Sequence, residues 1–330
     1  MSNRLKLIVI LGPTGVGKTE LCLTVAEHLG CDIINCDSRQ LFQDIPVGTA
    51  APSAVQQQRV RHYFVGTLPL DAYYSASEYE HDVLQLIASG KLKTGNGKDD
   101  TPQSGDIKDT NTNDNAIYGN GRSEAVILSG GSMMYIDAVC NGIDEMPTIN
   151  DDLRESLKRR LQSEGLETLS EELHALDPAH WATIDKRNPR RILHALEVCL
   201  QTGQPYSSFI NREKAPRPFD VIKIGLTRPR DELYSRINQR VLDMISDGMI
   251  DEARRVYPLR HLNSLNTVGY KELFAYFDGT MTLDEAIQRI QKNTRVYMKK
   301  QETWFKRDAS IRWFHPNDVK EIIKYIDDLL

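Results

Sequence analysis

Cysteines are few in this chain, long apolar runs are missing, and neither charge sign is in large excess. The five cysteines (Cys22, Cys31, Cys36, Cys140 and Cys199) are scattered through 330 residues, and no two form a C-x-x-C pair. A dispersed, odd-numbered set argues against a disulfide framework or a clustered-thiol zinc site and fits a reduced, cytoplasmic protein. No stretch approaches the ~20 consecutive apolar residues of a membrane helix, so no membrane association is expected. The first apolar run is too short for a signal peptide and leads directly into a glycine-rich loop. Lys and Arg number 41 against 46 Asp and Glu, a formal net charge of −5. That balance argues against bulk, non-specific nucleic-acid binding but leaves room for a local basic face. The length accommodates a main domain and a smaller one.

The strongest positive signal stands at the N-terminal end. The apolar run Leu5–Leu11 is followed by Gly12-Pro13-Thr14-Gly15-Val16-Gly17-Lys18-Thr19 and then by a helical pattern, Glu20–Leu29. This is the G-x-x-x-x-G-K-[ST] phosphate loop in its required strand-to-helix context. Backbone amides of such a loop cradle phosphate oxygens, and Gly15 and Gly17 permit dihedrals and approaches that a side chain would block. Lys18 supplies a point charge, the Thr19 hydroxyl suits Mg²⁺, and the helix aims its positive end at the anion. The loop does not say which phosphate compound it holds.

Further strands are predicted at Asp32–Cys36, Ala125–Ser129, Val221–Thr227 and Ile311–Phe314, with helical patterns between them. Alternation of this kind predicts an α/β fold, a P-loop NTPase-like parallel sheet flanked by helices. Its ligands bind at the carboxyl ends of the strands. Asp151 to Leu200 reads as nearly all helix, a small helical domain inserted into the sheet domain and ended by Gly203-Gln204-Pro205. The expected division is a core over 1–144, a helical insertion over 145–204, and a return to the core over 205–330. Lys91–Arg122 is rich in Gly, Asn, Asp, Thr and Lys, and its composition predicts a disordered surface insertion.

Thr282-Leu283-Asp284-Glu285 is a capping box that opens a long helix. Leu283, Ile287, Ile290, Thr294, Tyr297, Gln301 and Trp304 follow one face of it, and Arg289, Lys292, Arg295, Lys299 and Lys306 follow the other. A stripe so dominated by one sign reads either as a solvated outer face or as a nucleic-acid surface.

Asp37 ends the second predicted strand, placing a carboxylate at the ligand edge. It suits a metal-holding aspartate, a general base toward a second substrate, or a simple helix cap. The strand over Ala125–Ser129 ends instead in Gly130-Gly131-Ser132. Among the clear strands, only the one before Asp37 runs straight into a carboxylate, which is less switch machinery than a motor ATPase or GTPase carries.

Several separated segments then combine. They are the phosphate loop, Asp37-Ser38-Arg39-Gln40, Gly48-Thr49-Ala50-Ala51-Pro52, Gly130–Tyr135, Asp177-Pro178-Ala179 and Asn188–Ile192 with Ala195–Val198. Val268-Gly269-Tyr270 and Thr294-Arg295 with Lys300–Trp304 complete the order. Together they resemble the bacterial tRNA dimethylallyltransferases (tRNA isopentenyltransferases) over nearly the whole chain apart from Lys91–Arg122. The resemblance implies transfer of a dimethylallyl group from dimethylallyl diphosphate to the exocyclic amine of the adenosine beside the anticodon, with Mg²⁺. It implies Asp37 as base, and Lys18, Thr14 and Arg236 on the leaving diphosphate, although Arg236 taken alone reads as an ordinary surface charge. It carries over as tRNA contacts Asp37, Ser38, Arg39, Gln40, Ser132, Arg190, Arg191, Ile192, Leu193, His194, Asn266, Thr267, Val268, Gly269, Tyr270, Lys271, Arg295, Lys299, Lys300 and Gln301. The partners implied are the tRNA anticodon loop and the prenyl donor, and a monomer is expected. Ser132 stands where the family usually has Thr, and Ala51 replaces a common Lys; the zinc-finger pattern of eukaryotic relatives is missing. Rival readings are an ATP-using small-molecule kinase, an RNA-binding NTPase without group transfer, and an adenylate prenyltransferase.

Overall fold

A computed structural model describes residues 4–96, 123–144, 146–210 and 216–330. These fall into two compact units, residues 1–140 with 217–330, and residues 141–216.

The first unit is built on six parallel strands, β1 (Lys6–Leu11), β2 (Ile33–Cys36), β3 (His62–Tyr63), β4 (Ala125–Gly130), β5 (Asp220–Leu226) and β6 (Arg312–Phe314). They are ordered β3-β2-β4-β1-β5-β6. The central strand β1 shows why the sheet is parallel and covered on both faces. Ile8 and Ile10 pack into one core with the helix Lys18–Leu29, and Leu7, Val9 and Leu11 pack into another with Tyr79, Tyr135 and Val139. A strand apolar on both faces has no solvent side and needs helical layers above and below. β3, only two residues long, carries too little pattern to be read from sequence.

The start of the polar stretch departs from expectation. Leu92 is buried, the Lys93 amide donates to Asp32 Oδ2 at 2.9 Å, and Gly95 forms an antiparallel bridge with Ala125. Residues 91–96 therefore belong to the folded core, because they pair with the start of β2 and β4; residues 97–122 lie outside the described residues. The bridge brings Gly95 and Ala125 side by side, so a short linker can close that gap. Replacing residues 98–121 with a few Gly and Ser residues is expected to leave the melting temperature within about 5 °C and turnover within about twofold, since loop length changes closure entropy only slowly. A collapse of either in a thermal melt or rate assay would show that the segment takes part in the fold.

The second unit is helical. Its first helix, Asp151–Leu176, bends at Gly165, where φ is +85°. The helices Pro178–Thr183 and Pro189–Thr202 follow, and Leu157, Leu169, Leu173, Ile192 and Leu196 form its core. The unit continues past the expected boundary at 204. Ser207 donates its amide and hydroxyl to buried Asp177 at 2.6 and 3.0 Å, tying the chain after Pro205 back onto the helices.

The capping box forms as read. Thr282 and Glu285 exchange both bonds at the start of the helix Leu283–Phe305. Its buried face is rotated from the expected stripe, however. Ala286, Ile290, Met298, Gln301 and Phe305 are buried, whereas Tyr297 is 37% exposed and Trp304 sits part-way in, donating Nε1–H to Asp137 at 2.8 Å.

Candidate active site

The phosphate loop crosses from β1 to the helix Lys18–Leu29 at the carboxyl edge of the sheet. Gly15 and Gly17 take φ of +81° and +105°, and a Cβ on Gly15 would lie 2.9 Å from Ile237 Cγ1. A side chain is therefore excluded there by both dihedral and space. Buried Val16 faces the core and buried Pro13 contributes a carbonyl, so neither offers its side chain to a ligand. The first-turn amides of the helix have no helical acceptor and remain for an anion.

A cavity of about 680 Å³ opens over the loop. Thr14, Lys18, Thr19, Asp37, Arg236, Arg240 and Tyr297 line it. Asp37 arrives from β2, which is separated from β1 by β4. It reaches the cavity because β4 ends without side chains: a Cβ on Gly130 would lie 1.9 Å from Cys36 O. Gly130 therefore permits close backbone-on-backbone packing of β4 against the end of β2. Asp37 Oδ1 accepts the Arg39 amide at 2.9 Å. Lys18, Arg39, Arg240 and Tyr297 all feel the Asp37 charge.

The cationic wall is larger than the sequence indicated. Arg236 Nε donates to Gly15 O at 2.8 Å, and Arg228 Nε to Val16 O at 2.8 Å, so both brace the loop's outer side. Arg240, one turn beyond Arg236 on the helix Arg230–Ser246, brings Nη1 to 3.5 Å from Thr14 Oγ1. Burial lowers the Arg240 pKa, and Asp37 opposes that shift. Lys18 Nζ donates to Gly12 O and Pro13 O at 2.8 and 2.9 Å. Burial, followed by repulsion from Arg240, lowers the Lys18 pKa to about 8, with Asp37 and Cys22 pulling the other way. Arg240 was missed by sequence reading; the four-residue spacing from Arg236, on one helix face, was the available signal.

Several residues expected to touch tRNA have their side chains committed inside the protein. Ser132 is buried, accepting the Ser38 amide at 2.8 Å and donating to Ser38 Oγ at 3.2 Å. Fully buried Tyr270 donates to Glu252, whose carboxylate also takes the Val47 and Gly48 amides at 2.8 and 2.7 Å. This assembly holds the Gly48–Pro52 segment in place. Arg39 donates to Asn263 O and Ser264 O, and Gln40 to Thr49 O and Ala50 O, all at 3.0 Å. Gly269 is buried with φ +104°, where a Cβ would meet Met249 Cε at 2.4 Å. Gln301, 2% exposed, is also internal, although it borders the cavity. Thr267 and Val268 are half-buried, while Asn266, Lys271, Lys299 and Lys300 are exposed. Arg295 is half-buried against Asn238 and the Tyr234 ring. In the helical unit Ile192 is buried in the core and Leu193 packs against it, leaving Arg190, Arg191 and His194 exposed.

Sheet, loop and cavity define a P-loop α/β protein that sets the loop against an acidic side chain. The IPP transferase family model matches residues 40–96 and 111–308, and the chain belongs to that family. It is 52% identical over 320 residues to tRNA dimethylallyltransferase 1 of Phocaeicola vulgatus, covering 97% of each chain. The crystal structure of the full-length tRNA isopentenylpyrophosphate transferase of Bacillus halodurans superposes with a TM-score of 0.63 at 31% identity, covering 98% of this chain and 96% of that one. A eukaryotic dimethylallyltransferase acting on tRNA shares the fold, with a TM-score of 0.69 at 22% identity over 91% of this chain and 69% of its own.

Proposed function

We propose that this protein transfers a dimethylallyl group from dimethylallyl diphosphate to the exocyclic amine of the adenosine beside the anticodon of tRNA, releasing diphosphate. The observation that carries this reading is the shared cavity, with the phosphate loop and its arginines on one side and Asp37 on the other. In the reaction the allylic C–O bond breaks, the new C–N bond forms, and the amine's proton passes to Asp37. The electron pair of the broken bond leaves with the diphosphate. An adenine amine is a poor nucleophile, because its lone pair is delocalised into the ring. A carboxylate positioned to take its proton assists by ~10²–10⁴-fold. The departing diphosphate gains charge, and loop amides, Lys18, Arg236 and Arg240 are preorganised to receive it. The acceptor base is everted from its loop to reach Asp37.

The residues present fit a magnesium ion. Thr19 offers an exposed hydroxyl on the first turn of the loop helix. No group of three or more His, Cys, Asp or Glu that could hold a metal occurs among the described residues. Mg²⁺ typically takes one or two protein ligands and completes its shell with water and phosphate oxygens, a role open to the Thr19 hydroxyl. When bound, it would neutralise diphosphate charge. Exposed Arg190, Arg191 and His194 in the helical unit, and Asn266, Lys271, Lys299 and Lys300 in the core unit, are the expected contacts whose side chains are left for RNA phosphates and bases. No helix among the described residues is long and apolar enough to cross a membrane.

Incubation with radiolabelled dimethylallyl diphosphate and unmodified tRNA is expected to move label into the tRNA. ATP turnover with alcohols and no labelled tRNA would point to a kinase. Label entering free adenosine monophosphate in preference to tRNA would point to an adenylate prenyltransferase.

A further inference from the structure

Gln301 is the one long polar side chain on the buried face of the helix Leu283–Phe305, and both ends of its amide are engaged. Oε1 accepts the Thr14 amide N–H at 2.9 Å, inside the phosphate loop. Nε2 donates to Gly131 O at 2.9 Å, on the turn after β4. The fit is tight: a Cβ on Gly131 would lie 2.4 Å from Nε2. Met298 and Phe305, 0% and 3% exposed, anchor the helix on either side of it. Beyond Gly131 the connection continues. Ser132 Oγ accepts the Ser38 amide, and Ser38 follows Asp37 directly.

We infer that Gln301 is a positioning residue that fixes the separation between the leaving diphosphate and the base Asp37. This deepens the function proposed above and rests on it. The physical basis is the amide itself. It is neutral, so it adds no charge to the diphosphate site, and its amide both accepts from an N–H and donates to a carbonyl across a fixed span. Its engagement removes the Thr14 N–H from the anion cradle, so its contribution is geometric and not electrostatic. The same helix carries Lys299 and Lys300 outward, so an acceptor bound there is referenced to the donor loop through one side chain. A misplacement of about 1 Å between reacting groups is enough to cost on the order of 10²-fold in rate.

The test compares wild type with Gln301→Met, which keeps the length and removes both bonds, and Gln301→Glu, which keeps the acceptor but sets a carboxylate oxygen against Gly131 O. Three quantities are read: the single-turnover transfer rate at saturating donor and tRNA, the tRNA Kd by filter binding, and the pyrophosphate Kd by calorimetry. The expected result is a rate lowered by about 30- to 100-fold in both variants, with the tRNA Kd within about threefold of wild type in both and the pyrophosphate Kd within about threefold in the neutral Gln301→Met; the added carboxylate of Gln301→Glu borders the cavity and weakens pyrophosphate by itself. A purely structural role would instead weaken both affinities along with the rate, and should Gln301→Met fail to fold, Gln301→Glu carries the comparison. A rate within about threefold of wild type, or a tRNA affinity falling in step with the rate, would overturn the inference. If wild type itself transfers no label, the proposed function fails, and that result is separable from either outcome for the variants.

Discussion

Asp37→Asn is expected to lower single-turnover prenyl transfer by about 10²- to 10⁴-fold while the tRNA Kd stays within about threefold. Asparagine is the informative substitution. Its side-chain oxygen can still accept the Arg39 amide now held by Asp37 Oδ1, so the turn after β2 keeps its shape. What disappears is the capacity to take a proton. The change also removes the negative charge felt by Lys18, Arg39 and Arg240. Pyrophosphate binding should therefore be unchanged or tighter, because one anion in the cavity has gone. Loss of tRNA binding with unimpaired chemistry would reassign Asp37 to recognition. Unimpaired binding and chemistry together would leave the amine without a base from this side chain.

The features legible in the sequence were those written locally. The phosphate loop, the capping box at Thr282 and Glu285, and the two-sided apolar run of β1 each declare themselves within a few residues, because backbone dihedrals and hydrophobic periodicity are short-range. Asp37 was legible because it ends a strand. How it reaches the cavity was not: that depends on Gly130 letting the end of β4 pack backbone to backbone against Cys36, one strand away. The resemblance to a family's motifs places Tyr270, Ser132 and Gln301 on the tRNA. The structure commits their polar atoms to Glu252, Ser38, and the Thr14 and Gly131 backbone. A motif fixes which residues occur together; it does not separate a side chain that touches substrate from one that holds the toucher in place. For Arg240 the four-residue spacing from Arg236 is a weak signal for a related reason. On a helix rich in charge, only the tertiary position of Thr14 and the phosphate loop distinguishes it from a solvated cation.

Lys18→Ala is expected to reduce transfer by about 10²- to 10³-fold, the scale for deleting one preorganised donor to developing charge, and to weaken pyrophosphate binding measured in a metal chelator. Titration gives this prediction a second edge. In the free protein the Lys18 pKa is lowered to about 8 from an ordinary 10.5, chiefly by burial. The group is therefore mostly charged at pH 7 and largely neutral by pH 9.5. An anion in the loop favours the charged form, so binding near pH 8 takes up protons and the affinity falls as pH rises above 8. Folding has the opposite slope. The unfolded chain holds this proton up to about pH 10.5 and the folded chain releases it near 8, so the Lys18 contribution to stability rises with pH across that window. Calorimetry in two buffers of different ionisation heat reads the proton uptake, and Lys18→Ala should lower it to the part that ionisation of pyrophosphate itself contributes. Pyrophosphate affinity that is flat from pH 7 to 9.5 in the wild-type protein would mean that Lys18 is not the group meeting the anion. The grip on the leaving group would then fall to the guanidinium groups of Arg236 and Arg240.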